Sequence, residues 1–238
     1  LGPASSSKTM MSRLISSGGD VFRINFSHAK HEDVERIVSD IKNLRIKHNK
    51  HVSILGDLQG PKIRLGSVNE NTNLNKGNTI TLTTRLVKNG NNEKVSINYK
   101  DFAKDVKKGE SVLIDDGKII LQVQKTDRVS NVELKVIQGG TLSSNKGVNL
   151  PNTKISMPAL TNKDIKDAKL AAKLGVDWIA LSFVRSKNDV LQLKALIDKN
   201  SDHPIPVISK IEKPQAIKKM DQILKAVSYT HLTLPTSS

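Results

Sequence analysis

A lysine and a glutamate, Lys210 and Glu212, stand two residues apart where the short apolar stretch 207–209 ends. Successive side chains of a strand point to opposite faces, so this spacing directs both charged groups to the same side. Pro214 follows, and its fixed backbone angle φ suits the first turn of a helix. The carboxyl end of a strand that runs into a helix is where α/β proteins place their chemistry. The alternative interpretation is an ordinary salt bridge at a strand end.

Three further predicted strands end in polar side chains. The carboxyl ends of the strands in a (β/α) barrel converge on one face, so these groups would share one mouth with Lys210 and Glu212. Positive groups beside oxygen ligands suit a phosphorylated substrate held with a hard cation, and a carboxylate such as Glu212 suits Mg²⁺. The polar groups are Arg23, Asn25 and Ser27 on the first of these strands, Asp57 on the second and Ser182 on the third.

The segments that carry these strand ends alternate between helix and strand, which predicts a parallel sheet with crossover helices. This pattern covers about the first 66 residues and returns after Pro151. The last predicted helix follows Pro214. Its apolar residues Ile217, Met220 and Leu224 have the spacing of one helical face, so we expect a single helix here.

Between the two helix-and-strand segments, short β-rich runs follow one another with turn residues between them. The dipeptide Asp116-Gly117, flanked by apolar runs, is a strong hairpin signal. Strands at such spacing predict a small antiparallel barrel. We therefore predict an α/β protein in which an inserted β-barrel domain interrupts a (β/α) barrel. The predicted domains are 1–66 and 153–227 for the (β/α) barrel and 67–152 for the insertion, with 228–238 as a non-native tail.

The composition is that of a globular protein, with 37% hydrophobic and 26% charged residues among 238. No run approaches the roughly 20 apolar residues that a membrane span needs, and no signal segment is recognisable. The absence of cysteine excludes disulfides and thiolate metal sites and fits a cytoplasmic protein. We therefore expect a cytoplasmic protein that does not associate with membranes.

The formal net charge of +15 admits a basic nucleic-acid-binding module as an alternative function. Such modules usually combine clustered cations with stacking aromatic side chains. Here aromatic residues make up only 3%, and the lysines are scattered among acidic residues. Small phosphorylated substrates would profit from the same positive field, and we favour them over nucleic acid. The glycine-rich loops of P-loop and Rossmann proteins are absent from the sequence.

Four motifs, in this order along the chain, resemble the pyruvate kinase family. They are Arg-Ile-Asn-Phe-Ser-His (23–28), Gly-Asp-Leu-Gln-Gly-Pro-Lys-Ile-Arg (56–64), Asn-Lys-Gly-Val-Asn-Leu-Pro (145–151) and Ile-Ser-Lys-Ile-Glu (208–212). The resemblance extends over about residues 1–227. It implies a partial TIM (β/α)8 barrel, strands two to five, interrupted after its third strand by a small antiparallel β-barrel lid domain.

The resemblance also implies a reaction, the transfer of a phosphoryl group from phosphoenolpyruvate to ADP, which gives pyruvate and ATP in glycolysis. Lys210 would neutralise charge on the transferring group, and Arg23 would hold the substrate phosphate. Glu212 would bind Mg²⁺ or Mn²⁺. Another barrel enzyme that handles phosphoenolpyruvate or pyruvate remains an alternative.

Further residues have roles by resemblance alone. The family's monovalent-cation pocket would comprise Asn25, Ser27, Asp57 and, through its backbone oxygen, Leu58, which replaces a threonine of the family. Substrate or nucleotide would contact His28, Arg64, Lys146 and Ser182. Three of these have simpler interpretations: His28 as a capping residue, Arg64 as a surface ion pair and Ser182 as a packing residue.

Lys62 departs from the family pattern, because many members carry a glutamate there and resemble the K⁺-dependent type. An ammonium group near the pocket could replace K⁺, so we expect K⁺ not to be required. The resemblance suggests a homotetramer. Because eight strands close such a barrel and the sequence provides four intact ones, we also expect the chain as written to be an inactive fragment.

Overall fold

The computed structural model describes residues 1–227, so the predicted tail 228–238 lies outside the described residues. The described chain contains seven helices and twelve strands. The helices are α1 (Lys8–Ser16), α2 (His31–His48), α3 (Phe102–Asp105), α4 (Asn162–Lys173), α5 (Lys187–Asp198), α6 (Pro214–Ile217) and α7 (Met220–Leu224). The strands are β1 (Val21–Asn25), β2 (Ser53–Asp57), β3 (Asn73–Leu74), β4 (Thr79–Thr83), β5 (Lys94–Ser96), β6 (Ser111–Ile114), β7 (Ile119–Thr126), β8 (Asn131–Gln138), β9 (Gly140–Thr141), β10 (Val148–Asn149), β11 (Trp178–Leu181) and β12 (Val207–Ser209).

The chain divides into two compact units. One, here called the α/β unit, consists of Leu1–Pro61 and the chain from Pro158 onward; the other, the β-rich unit, is Lys62–Met157.

The α/β unit contains a four-stranded sheet in the order β1-β2-β11-β12, with every neighbouring pair parallel. The register places Asn25 opposite Asp57, and Asp57 opposite Ala180. The carboxyl ends of the strands therefore lie level with one another. Helices connect the strands, as in a (β/α) barrel, and the predicted α/β class with part of a parallel barrel is confirmed.

The core of the α/β unit follows the sequence periodicities. On β1 the alternation buries Phe22 and Ile24, while Val21 is 57% exposed. The apolar stripe of α2 is buried along its whole length, as expected for an amphipathic helix that covers one face of the sheet. Each fully buried apolar side chain contributes about 1.5–3 kcal/mol to stability. These residues hold in place the strands whose carboxyl ends carry Asn25 and Asp57.

The prediction for the last helix was wrong. The segment forms two short helices, α6 and α7, which bury Ala216 and Ile223. Ile217 is 65% exposed and Leu224 is 38% exposed. The reason is a break at Lys219, whose φ of −120° and ψ of 20° are not helical and end the single 3.6-residue periodicity that the prediction assumed.

The β-rich unit contains a six-stranded sheet in the order β10-β6-β7-β8-β4-β5, antiparallel except for the parallel pair β4 and β5. Segment 63–66 bridges the two edges of this sheet. Arg64 pairs with Gly147, next to β10, and Leu65 pairs with Ile97, next to β5. These bridges close the sheet into the small barrel that the sequence predicts. The predicted hairpin is also confirmed, because β6 and β7 pair across a turn in which Asp116 and Gly117 have φ of 57° and 90°.

Candidate active site

The carboxylate of Asp57 ends β2 and lies between two cations of the α/β unit. The Arg23 guanidinium donates to its Oδ2 from Nη2 at 2.6 Å and from Nε at 2.7 Å. The Lys210 ammonium lies 3.2 Å from its Oδ1. Asp57 is only 3% exposed, and a buried carboxylate without such partners would be strongly destabilising. The cluster therefore holds two positive groups in fixed positions around one negative group.

Ser182, directly after β11, connects this cluster to the segment after β2. Its buried hydroxyl accepts a hydrogen bond from Lys210 Nζ at 2.8 Å and donates one to the Leu58 carbonyl oxygen at 2.6 Å. The hydroxyl thus has one acceptor and one donor contact, which fixes its orientation. Lys210 is held from two sides, by Ser182 and by Asp57.

Glu212 also contacts Lys210. Its Oε1 is 3.5 Å from Lys210 Nζ, and its Oε2 accepts a hydrogen bond from the backbone N–H of Phe183 at 2.8 Å. Strand β12 ends at Ser209, but the backbone N–H of Lys210 still donates to the Leu181 carbonyl at 3.0 Å. Lys210 and Glu212 are therefore adjacent, just beyond the end of β12.

Lys213 was not singled out from the sequence. It is 8% exposed, and burial lowers its pKa below the ordinary lysine value, an effect that neighbouring Arg185 increases and Glu212 opposes. Its Nζ lies 5.6 Å from the centre of the Phe183 ring, within reach of a cation–π contact. Its position before a helix-starting proline gives no sequence signal for burial.

Asn25 ends β1, and the turn that follows carries Ser27 and His28. Asn25 Oδ1 accepts a hydrogen bond from the backbone N–H of Ser27 at 3.0 Å, and the exposed His28 donates its backbone N–H to the Asn25 carbonyl at 3.3 Å. From α4, Lys163 donates to the carbonyl of Phe26 at 2.6 Å. The turn is thus stabilised by its own hydrogen bonds and by one from Lys163 of α4.

Asp167 supports that contact from α4. This carboxylate is 1% exposed and lies between Lys163 and His31 Nε2, the latter at 2.7 Å. The sequence analysis missed this group. The only local signal was the spacing of four residues between Lys163 and Asp167, which allows an ion pair on a helix.

The remaining predicted residues, Lys62, Arg64 and Lys146, belong to the β-rich unit. Arg64 Nη1 donates to the Asn145 carbonyl at 2.7 Å, and Lys146 Nζ lies 3.0 Å from Asp115. Hydrogen bonds from Lys146 and Lys118 lower the pKa of Asp115 below its ordinary value. Arg64 is therefore tied to the segment that carries Lys146.

The described residues contain no group of three or more His, Asp or Glu side chains that could hold a metal ion by themselves. Within residues 1–227, no helix is long and apolar enough to cross a membrane.

Comparison with known proteins identifies the family. Residues 1–230 match the family model described as pyruvate kinase, barrel domain. The chain belongs to the pyruvate kinase family. The resemblance carried by the four motifs is thereby confirmed, and the parallel sheet of the α/β unit is part of the family's barrel domain.

Curated pyruvate kinases match most of the chain. The pyruvate kinase of Corynebacterium efficiens is 44% identical over 227 residues, which cover 95% of this chain and 47% of that protein. Pyruvate kinase 2 of Synechocystis sp. is 43% identical over 230 residues, with 94% and 38% covered. The pyruvate kinase of Thermococcus litoralis is 38% identical over 227 residues, with 95% and 47% covered. The chain spans about half the length of the curated relatives it matches, or less.

Proposed function

We propose that the complete protein transfers the phosphoryl group of phosphoenolpyruvate to ADP, which gives pyruvate and ATP. The observation that carries this proposal is the Lys210 ammonium, held 3.5 Å from Glu212 and 3.2 Å from Asp57. This ammonium lies at the carboxyl ends of parallel strands in a chain of the pyruvate kinase family.

In the proposed reaction, the bond between phosphorus and the enol oxygen breaks as a bond forms between phosphorus and a terminal oxygen of ADP. The enol oxygen leaves with the electron pair, and the methylene carbon of enolpyruvate then takes up a proton to give pyruvate. Lys210 would stabilise negative charge on the transferring group, and Arg23 would bind the phosphate. Because Asp57 and Ser182 already hold the ammonium, it need not reorganise during the reaction.

Glu212 fits a divalent cation such as Mg²⁺ or Mn²⁺. Mg²⁺ is commonly bound through one or two carboxylates together with substrate phosphates and water, so a single carboxylate beside a phosphate site is a suitable ligand. When bound, the ion would neutralise negative charge on the phosphate. Ser182 and the backbone N–H of Phe183 would orient the lysine and the carboxylate, respectively.

For the nucleotide, we propose His28, Arg64 and Lys146 as contacts. Arg64 and Lys146 share one region of the β-rich unit, where Arg64 donates to the residue that precedes Lys146. Both carry exposed or half-buried cationic groups suited to phosphate oxygens. By family membership we further propose that the complete protein is a cytoplasmic homotetramer, which light scattering on the purified protein would test.

The test of the main proposal is the substitution Lys210→Met in the complete protein, with turnover of phosphoenolpyruvate and ADP measured by release of pyruvate. We expect a loss of roughly 100- to 1,000-fold in kcat, the size typical for the loss of one preorganised electrostatic group. Lys8→Met is the matched control, because Lys8 lies in the same unit and forms an ion pair at the same distance, 3.5 Å, with Asp40. Near-normal turnover by Lys210→Met, or none by the unaltered protein, would refute the proposal.

By resemblance to the family we propose that the complete protein does not require K⁺, because Lys62 stands where K⁺-dependent members carry a glutamate. Asn25, Ser27, Asp57 and the Leu58 carbonyl provide oxygens of the kind that such ions bind. Replacement of K⁺ by tetramethylammonium should leave turnover largely intact, whereas the substitution Lys62→Glu should make turnover depend on K⁺. Loss of nearly all activity of the unaltered protein without K⁺ would contradict this expectation.

A further inference from the structure

Phe183 has a backbone conformation that its side chain disfavours. Its φ is +55°, in the left-handed region, where a bulky residue is an outlier. Of the seven described non-glycine residues with positive φ, five are Asn or Asp, which tolerate this region. An aromatic residue lacks that tolerance, so its surroundings must hold it there. Such strain concentrates at functional sites.

The conformation places two successive residues against the two charged groups of the candidate site. Ser182 receives a hydrogen bond from Lys210 at 2.8 Å, and the backbone N–H of Phe183 donates to Glu212 Oε2 at 2.8 Å. One turn after β11 therefore contacts both Lys210 and Glu212. With Oε2 bound by this N–H, Oε1 is the oxygen on the side of Lys210.

Two further contacts hold the turn. Gly60 packs so closely that a Cβ atom there would lie 2.9 Å from the Phe183 ring and 2.9 Å from Ser182 Cβ. Asp164 fixes Gly60 by accepting its backbone N–H at 2.9 Å. On another side, the Lys213 ammonium lies 5.6 Å from the centre of the Phe183 ring. The backbone of Gly60 and the Lys213 ammonium therefore flank the Phe183 ring, while the Phe183 N–H holds the Glu212 carboxylate.

We propose that Phe183 is a positioning residue for metal binding, and that its left-handed backbone orients the Glu212 carboxylate through the Phe183 N–H. The inference rests on the proposed function of Glu212 as a metal ligand. Groups that orient a ligating carboxylate influence metal affinity although they do not touch the metal. The part that matters is the backbone conformation, and the phenyl ring serves to maintain it.

The test compares Phe183→Gly with Phe183→Ala in the complete protein. Both substitutions remove the ring and its contact with Lys213, but only glycine adopts positive φ without strain. We expect Phe183→Gly to retain the Mn²⁺ affinity of the unaltered protein, measured by electron paramagnetic resonance titration with Mn²⁺ alone. Phe183→Ala can relax to negative φ and withdraw its N–H from Glu212, so it should bind Mn²⁺ roughly 10- to 100-fold more weakly.

A second pair keeps the test decisive if Phe183→Ala does not fold. Gly60→Ala would push against Ser182 and Phe183 and should weaken Mn²⁺ binding, whereas Phe183→Asn, which tolerates positive φ, should not. Equal affinities of the Gly and Ala variants, whether normal or reduced, would overturn the inference while leaving the proposed function intact. Unaltered protein that neither binds Mn²⁺ nor turns over phosphoenolpyruvate would overturn both.

Discussion

Asp57 in the α/β unit and Asp115 in the β-rich unit are both carboxylates that lie between two cations. The distances are similar: 2.6 and 3.2 Å from Asp57 to Arg23 and Lys210, and 3.0 Å from Asp115 to both Lys118 and Lys146. The surroundings are not. The side chain of Asp57 is 5% exposed and that of Asp115 is 23% exposed.

The difference in exposure determines what each cluster can contribute. The partners of Asp57 are 34 and 153 positions away in the sequence, so that cluster exists only when the parallel sheet is folded. Of the partners of Asp115, Lys118 is three residues away and 75% exposed, whereas Lys146 is 31 residues away and 38% exposed. Exposed ion pairs contribute little to stability, so the pair of Asp115 with Lys118 should contribute less than the pair of Asp57 with Lys210. The side chains around the buried Asp57 should therefore be more rigidly held than those around Asp115.

The substitution Asp57→Asn should have the largest effect. It leaves Lys210 and Arg23 facing a neutral group, and breaking a buried ion pair in this way costs about 3–5 kcal/mol. Because the Arg23 side chain is 53% exposed and can regain water, we expect a smaller loss in the free energy of unfolding, about 2–3 kcal/mol. The measurement is urea unfolding of this chain followed by the fluorescence of Trp178, its only tryptophan, which lies in the α/β unit.

Asp115→Asn is the control for that experiment. It removes the same charge from between two cations in the β-rich unit, where the carboxylate is 23% exposed. The free energy of unfolding of that unit, followed by far-UV circular dichroism, should therefore fall by much less than Asp57→Asn lowers that of the α/β unit. If the two substitutions lowered stability equally, the number of partners rather than burial would determine the energy. Burial would then not distinguish Asp57 from Asp115.

The sequence patterns were sufficient for the parts of the site that depend on regular strands. Alternation buried Phe22 and Ile24 and left Arg23 outward, and parallel order brought Arg23, Asp57 and Lys210 into contact at neighbouring strand ends. These are consequences of a period of two and of parallel pairing. Both can be read from the order of apolar and polar residues.

The parts that the sequence did not predict depend on tertiary contacts. Phe183, with its positive φ, packs against Gly60 and hydrogen-bonds to Glu212, both far from it in the sequence, and no local pattern specifies this conformation. The exposure of Ile217 has a different cause, because periodicity assumes a continuous helix and this one breaks at Lys219. Local patterns therefore predict which polar side chains meet at the strand ends. They fail where the backbone is irregular, as at Phe183 and Lys219.

Tyr99 tests the effect of burial within the β-rich unit itself, because it is a buried polar residue of that unit. We expect a smaller effect there than for Asp57→Asn. Tyr99 is 2% exposed, and its hydroxyl contacts Asp105 and Ser156. Burial and then the hydrogen bond to Asp105 raise the pKa of Tyr99 to about 12. If burial determines the energy, Tyr99→Phe should lower the free energy of unfolding by about 1 kcal/mol, the usual value for one hydrogen bond.

The pH dependence follows from the sign of that shift. Because the pKa is higher in the folded protein than the ordinary value of 10.0, the stabilisation is complete below pH 10 and is lost as the pH rises toward about 12. The unaltered chain should therefore lose its advantage over Tyr99→Phe across this range, a comparison in which the titration of the lysines cancels. Absorbance of tyrosinate gives the pKa directly, since the chain has two tyrosines and Tyr99→Phe leaves only one. A difference titration centred near pH 10 would show that Tyr99 ionises as an exposed residue does, and that burial in the β-rich unit does not have the effect it has around Asp57.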